Sequence, residues 1–120
     1  MASKTKTKYG EINIENEVVA RIAGLAAVDC YGIVGMAAKN MKDGIVQLLK
    51  KENLSKGITV SVENGEISIG LHIVVQYGTN IPAICESLIS SVLYNVEEFT
   101  GFPVKAINVF VEGIHVEKER

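Results

Sequence analysis

The most regular hydrophobic pattern in the chain runs through GITVSVENGEISIGLHIVVQY, residues 57–77. Ile58, Val60 and Val62 alternate with Thr59, Ser61 and Glu63. After Asn64-Gly65, the residues Ile67, Ile69, Leu71, Ile73, Val75 and Tyr77 alternate with Glu66, Ser68, Gly70, His72, Val74 and Gln76. A period of two marks a strand with one buried face, and Asn-Gly supplies the two positive-φ positions of a type I′ turn. The pattern predicts a long β-hairpin with one apolar and one mostly polar face.

Downstream the period changes. Tyr77-Gly78 ends the strand, Thr79 or Asn80 is placed to cap a helix, and Pro82 falls in the first turn, where a missing N–H does no harm. Ile81, Ile84, Cys85, Leu88, Val92, Val96 and Phe99 form an apolar stripe, and Thr100-Gly101 followed by Pro103 predicts the helix end. A further alternation puts Ile107, Val109 and Val111 inward. Its phase slips at Gly113, which predicts a β-bulge at Glu112-Gly113. A strand–helix–strand run in one sheet makes the flanking strands parallel.

Upstream, YGEINI reads as a short strand with Ile12 and Ile14 on one face. A helix follows from Asn16, capped by Glu15 or Asn16, with Val18, Ile22, Leu25 and Ala26 at helical spacing. Ala23, Gly24, Ala26 and Ala27 make one side of it small, so that another element can approach closely. DCYGIVGMA punctuates the chain with two glycines, and Met41, Ile45, Leu48 and Leu49 suggest a second helix. The expected organisation is a flexible basic N-terminus over 1–8, one domain over 9–117 and a charged end over 118–120. The expected fold is α+β, a two-layer sandwich with a mixed β-sheet and helices covering one face.

Composition narrows the function classes. The 120 residues are 48% hydrophobic and 22% charged, with a formal net charge of −2, which gives no overall pull toward nucleic acid or anionic lipid. No apolar run approaches the roughly twenty residues that span a bilayer, and the basic head lacks the apolar stretch of a signal peptide. Direct membrane insertion is not expected, and the location expected is cytoplasmic. Cys30 and Cys85, far apart and without a CxxC pair, read as two small buried thiols in a reducing cytosol.

The inventory of reactive groups is thin. His72 and His115 are the only histidines, and a metal reading would pair them with Glu112 or Glu66, without the spacing of a zinc site. Ser87, Ser90 and Ser91 lie on a helix outside any G-x-S-x-G elbow, and no phosphate-binding glycine motif follows a strand. No catalytic residue, metal or cofactor is expected. Gly32, Ile33, Val34 and Gly35 have the G-x-x-G form with which KH domains clamp a nucleotide backbone, although their middle residues are apolar. This loop is the alternative, nucleic-acid reading. The leading candidate is a surface on the outer face of the sheet, where Val74 and Phe110 stand among Ser68, His72, Gln76, Asn108 and Glu112.

Several separated segments carry a family resemblance. VVQYGTNIP, VEEFTGFPV and INVFVEGIHV, together with GEINIENEVVARIAGLAAVDCYGIVGM, resemble the alkaline shock protein family, also called the envelope stress response proteins, of Gram-positive bacteria. The resemblance covers roughly residues 9–116. It implies a cytoplasmic stress-response or envelope-homeostasis protein that acts through protein–protein contacts. It implies as partners a small membrane protein or a lipid-metabolism kinase, and possible assembly as a homo-oligomer. The family has no established catalytic residues to carry over.

Overall fold

A computed structural model describes residues 3–38, 49 and 51–116. Two strands, β1 (Ser3–Thr7) and β2 (Gly10–Ile14), pair antiparallel as a hairpin of their own. Helix α1 (Asn16–Val28) leads to β3 (Ile33–Met36), and a 3-10 segment (Lys51–Gly57) precedes β4 (Ile58–Glu63). β5 (Glu66–Gln76), α2 (Ile81–Thr100) and β6 (Val104–His115) complete the chain.

β5 organises the main sheet. Residues 66–71 pair antiparallel with β4, and residues 73–75 pair antiparallel with β3. Residues 67–76 run parallel to β6. Since residues 67–71 pair with both β4 and β6, those two strands lie on opposite edges of β5. The β5–α2–β6 unit is the predicted parallel crossover, and the sheet is mixed. The helices cover one face, as the α+β expectation has it.

The local signals act where residue chemistry restricts the backbone. Asn64 and Gly65 take φ of 52° and 77°, and close the β4–β5 hairpin with Val62 opposite Ile67. Asn80 caps α2, its side-chain oxygen accepting from the Ala83 N–H at 3.1 Å. Gly101 ends α2 in the left-handed region with φ 77°, a conformation that costs an L side chain energy. Of the two candidates for capping α1, Glu15 holds the position, without a side-chain hydrogen bond.

The core lies between helices and sheet. Ile67, Ile69, Leu71, Ile73 and Val75 of β5 are fully buried against Leu88, Val92 and Val96 of α2 and Val19, Ala23 and Ala27 of α1. Here the expected stripe of α1 needs correcting, while the close approach expected on its small side is present. The buried face of α1 is its small side, Val19, Ala20, Ala23, Gly24, Ala26 and Ala27, whereas Val18 and Leu25 are exposed. Close approach explains the choice. A Cβ on Gly24 would sit 3.1 Å from Leu54 Cβ and 3.2 Å from Ile58 Cδ1, so the helix packs where its side chains are shortest. Phe99, read as the end of the α2 stripe, is likewise exposed.

Three further differences concern strands. Ser3–Thr7 forms β1, although its residue pattern predicts no element. GIVG is not a free turn: Gly32 takes φ 84°, and residues 33–36 form β3, which pairs with the end of β5 that β4 does not reach. Val111, assigned to the inner face, remains partly exposed near the end of β6. The helix expected around Met41, Ile45 and Leu48 lies outside the described residues. Leu49 donates its N–H to the Met36 carbonyl at 2.9 Å.

Candidate functional site

The outer face of the sheet, opposite the helices, carries the side chains of Thr59, Ser68, His72, Asn108 and Phe110 by strand alternation. Phe110 lies directly across from His72 in the parallel register. Their rings stack, with centroids 4.8 Å apart and planes at 16°. The Nδ1 of His72 is 2.6 Å from Glu112 Oε2, so the imidazole is held by an aromatic ring and a carboxylate together.

A bulge makes this arrangement. Val111 pairs with Ile73 and Gly113 with Val74, which leaves Glu112 as the extra residue in β6. The predicted bulge at Glu112-Gly113 is therefore present, and it brings Glu112 onto the ring of His72 instead of opposite Val74. Gly70 contributes by having no side chain. A Cβ there would lie 2.5 Å from Thr59 Oγ1 and 3.5 Å from Phe110 Cε2. The missing side chain makes room for the Thr59 hydroxyl, whereas the phenyl ring would meet a Cβ at ordinary contact distance.

The residues expected to form this surface do not all reach it. Val74 is 5% exposed, so it is not a contact residue in this conformation. It sits between Gly35 of β3 and Gly113 of β6, at a point where both neighbouring strands shift register. Phe110 is 47% exposed, Asn108 is exposed opposite Gly70, and Gln76 is half-buried opposite His115. Glu112, which the alternation with Asn108 and Phe110 also puts on this face, belongs to it through its contact with His72. The phase slip comes after Glu112, at Gly113, and is the signal that predicts the bulge.

Other candidates do not converge on a reaction. Among the described residues, no group of three His, Cys, Asp or Glu is arranged to hold a metal. Cys30 and Cys85, expected to be buried, are only partly so. Cys30 donates its S–H to the Ala26 carbonyl at 3.6 Å, and burial pushes the Cys85 thiol up from its ordinary range. Ile33, Val34 and Gly35 are residues of strand β3, not of a loop between two helices, so this G-x-x-G lacks the setting of the KH clamp. Residue spacing alone also gave no sign of a trough between α1 and α2, about 390 Å³, with Ile22, Leu25, Asn95 and Phe99 in its walls.

The family model for alkaline shock protein 23, described as having a "cell envelope-related function", matches residues 4–116. The chain belongs to the alkaline shock protein 23 family. Its similarity to the Bacillus subtilis protein YloU is 47% identity over 117 residues, covering 97% of this chain and 98% of that one. The Streptococcus pyogenes protein Spy1614 is 35% identical over 120 residues, covering 99% of each. Stress response regulator gls24 homologues of Streptococcus pyogenes are 28% identical over 118 residues, covering 96% of this chain and 64% of theirs. No solved structure matches. Membership of this family agrees with the resemblance carried by the sequence motifs and gives the chain a cell-envelope-related role. None of the described helices is long and apolar enough to cross a membrane.

Proposed function

We propose that this member of the alkaline shock protein family is a non-enzymatic cytoplasmic interaction protein that serves the cell envelope through contacts on the outer face of its sheet. The observation that carries the reading is the Phe110–His72–Glu112 cluster. An aromatic ring is held half-exposed on the face away from the described helices, with its neighbour fixed by a carboxylate. Pre-positioned aromatics suit protein recognition, because little side-chain freedom is lost when a partner covers them. The partner classes that fit the family role are a small membrane protein, which would bring the chain to the envelope, and a lipid-metabolism kinase.

Cross-linked capture from the protein's own cells tests this, comparing the unaltered chain with Phe110→Glu. The expected result is a defined envelope or lipid-metabolism partner that is recovered with the first and lost with the second. An unchanged set of captured proteins, with the variant folded, overturns the reading.

A further inference from the structure

Among the described residues, neither the β1–β2 hairpin nor the far edge of β6 has a neighbouring strand. Among the described residues, β1 and β2 pair only with each other, Tyr9 at the turn is 91% exposed, and only Ile14 packs against the core. An isolated two-stranded hairpin is at best marginally stable in water. β6, twelve residues long, pairs among the described residues on one edge, with β5. Its exposed apolar side chains include Phe110, Val111 and Ile114, the last 52% exposed. A long open edge of this kind is a template for another strand.

The two features match face by face. In the arm, Lys4 and Lys6 stand opposite Asn13 and Glu11, on one side, while Ile12 and Ile14 point to the other. In β6, Phe110 and Glu112 lie on the outer side, and Val111 and Ile114 on the helix side. With the arm laid along β6, the exposed Ile12 would extend the apolar side beside Val111 and Ile114. Its lysines would extend the side that carries Glu112. Main-chain hydrogen bonds along the edge would supply the rest, as in β-strand addition.

The roots of the two features decide which molecule supplies the arm. The arm leads into α1, whose Asn16 donates from Nδ2 to the Val60 carbonyl of β4 at 3.4 Å. β4 and β6 lie on opposite edges of β5. The arm therefore leaves the domain on the side away from the open edge. We propose that the β1–β2 arm of one copy adds to the free edge of β6 in a second copy. The contact is head to tail, so it leaves one arm and one edge unused and can propagate. This assembly is separate from the outer-face partner proposed above, and it gives the homo-oligomer implied by the family resemblance a defined contact.

Sedimentation of three forms tests the proposal: the full chain, a chain lacking residues 1–9, and the double variant Val111→Lys/Ile114→Glu. The full chain is expected to sediment as two or more copies, and each altered chain as one. An equal mixture of the two altered chains is expected to form a pair, because one supplies an intact β6 edge and the other an intact arm. If the double variant fails to unfold cooperatively, Ile114→Glu alone replaces it, since that side chain is already half exposed. A single-copy full chain, oligomers that persist without the arm, or a mixture that stays unpaired would each overturn the proposal. Phe110→Glu in the capture experiment reads the outer face, so the two readings fail separately.

Discussion

Phe110 stacks on His72 across two parallel strands, 4.8 Å between ring centroids, while Glu112 holds the same imidazole from a bulge two residues further on. The three side chains are coupled through His72. Stacked aromatic pairs contribute about 0.5–1.5 kcal/mol beyond the area they bury. A double-mutant cycle of Phe110→Ala and His72→Ala, followed by urea unfolding, is expected to return a coupling in that range. Additive losses would mean that the stack contributes nothing to stability.

Gly70→Ala is expected to destabilise the fold by about 1–3 kcal/mol, the usual cost of overpacking, because its Cβ would lie 2.5 Å from Thr59 Oγ1. Adding Thr59→Ala removes that oxygen and is expected to restore most of the loss. Chemical denaturation of the single and double variants checks both halves.

Gly24→Ala sets two effects against each other. Replacing a helix-interior glycine by alanine gains about 1 kcal/mol of helix propensity. Here the added methyl would press on Leu54 and Ile58 at 3.1 and 3.2 Å. Packing is expected to win, leaving a variant that is less stable than the parent or at most equal to it. A clear rise in the unfolding midpoint would show that the 3-10 segment yields easily.

Asn80→Ala removes the side-chain acceptor at the start of α2. The expected cost is about 1 kcal/mol, with Asn80→Asp or Asn80→Ser retaining most of the stability. Thermal unfolding of the three variants gives the order.

The Cys85 thiol titrates above its ordinary range because burial disfavours the thiolate. Its alkylation is expected to be slower than that of a free cysteine near pH 8, and to keep accelerating at pH values where the free thiol has levelled off. The sign for stability follows. The folded state keeps this proton longer than the unfolded state, so the contribution is complete below the ordinary thiol pKa. It declines as pH rises through that range. Rates measured on a Cys30→Ala chain isolate the effect.

Much of the fold was legible locally, and for a common reason. Asn64-Gly65, Asn80, Pro82 and Gly101 each restrict the backbone at their own position, so turn, cap and helix end follow from residue type. The alternation along β5 fixes which side chains face the core, and the slip at Gly113 marks the bulge that carries Glu112. The stacked pair itself was only half legible. Alternation put His72 and Phe110 on one face, but the parallel register made them neighbours.

Tertiary structure decided what depends on the distance between elements. α1 buries alanines and a glycine in place of the larger Val18 and Leu25 because β4 and the 3-10 segment come close, and periodicity does not measure closeness. Val74 has a polar-face position in the sequence, yet it is buried where both neighbouring strands shift register. GIVG has the glycines of a turn, but β5 outruns β4, and the bare end of its edge takes residues 33–36 as a strand. The sequence by itself determined where each such element turns and which side of β5 is apolar. The spacing between packed elements determined which surfaces are left open, because burial belongs to pairs of elements and not to either one alone.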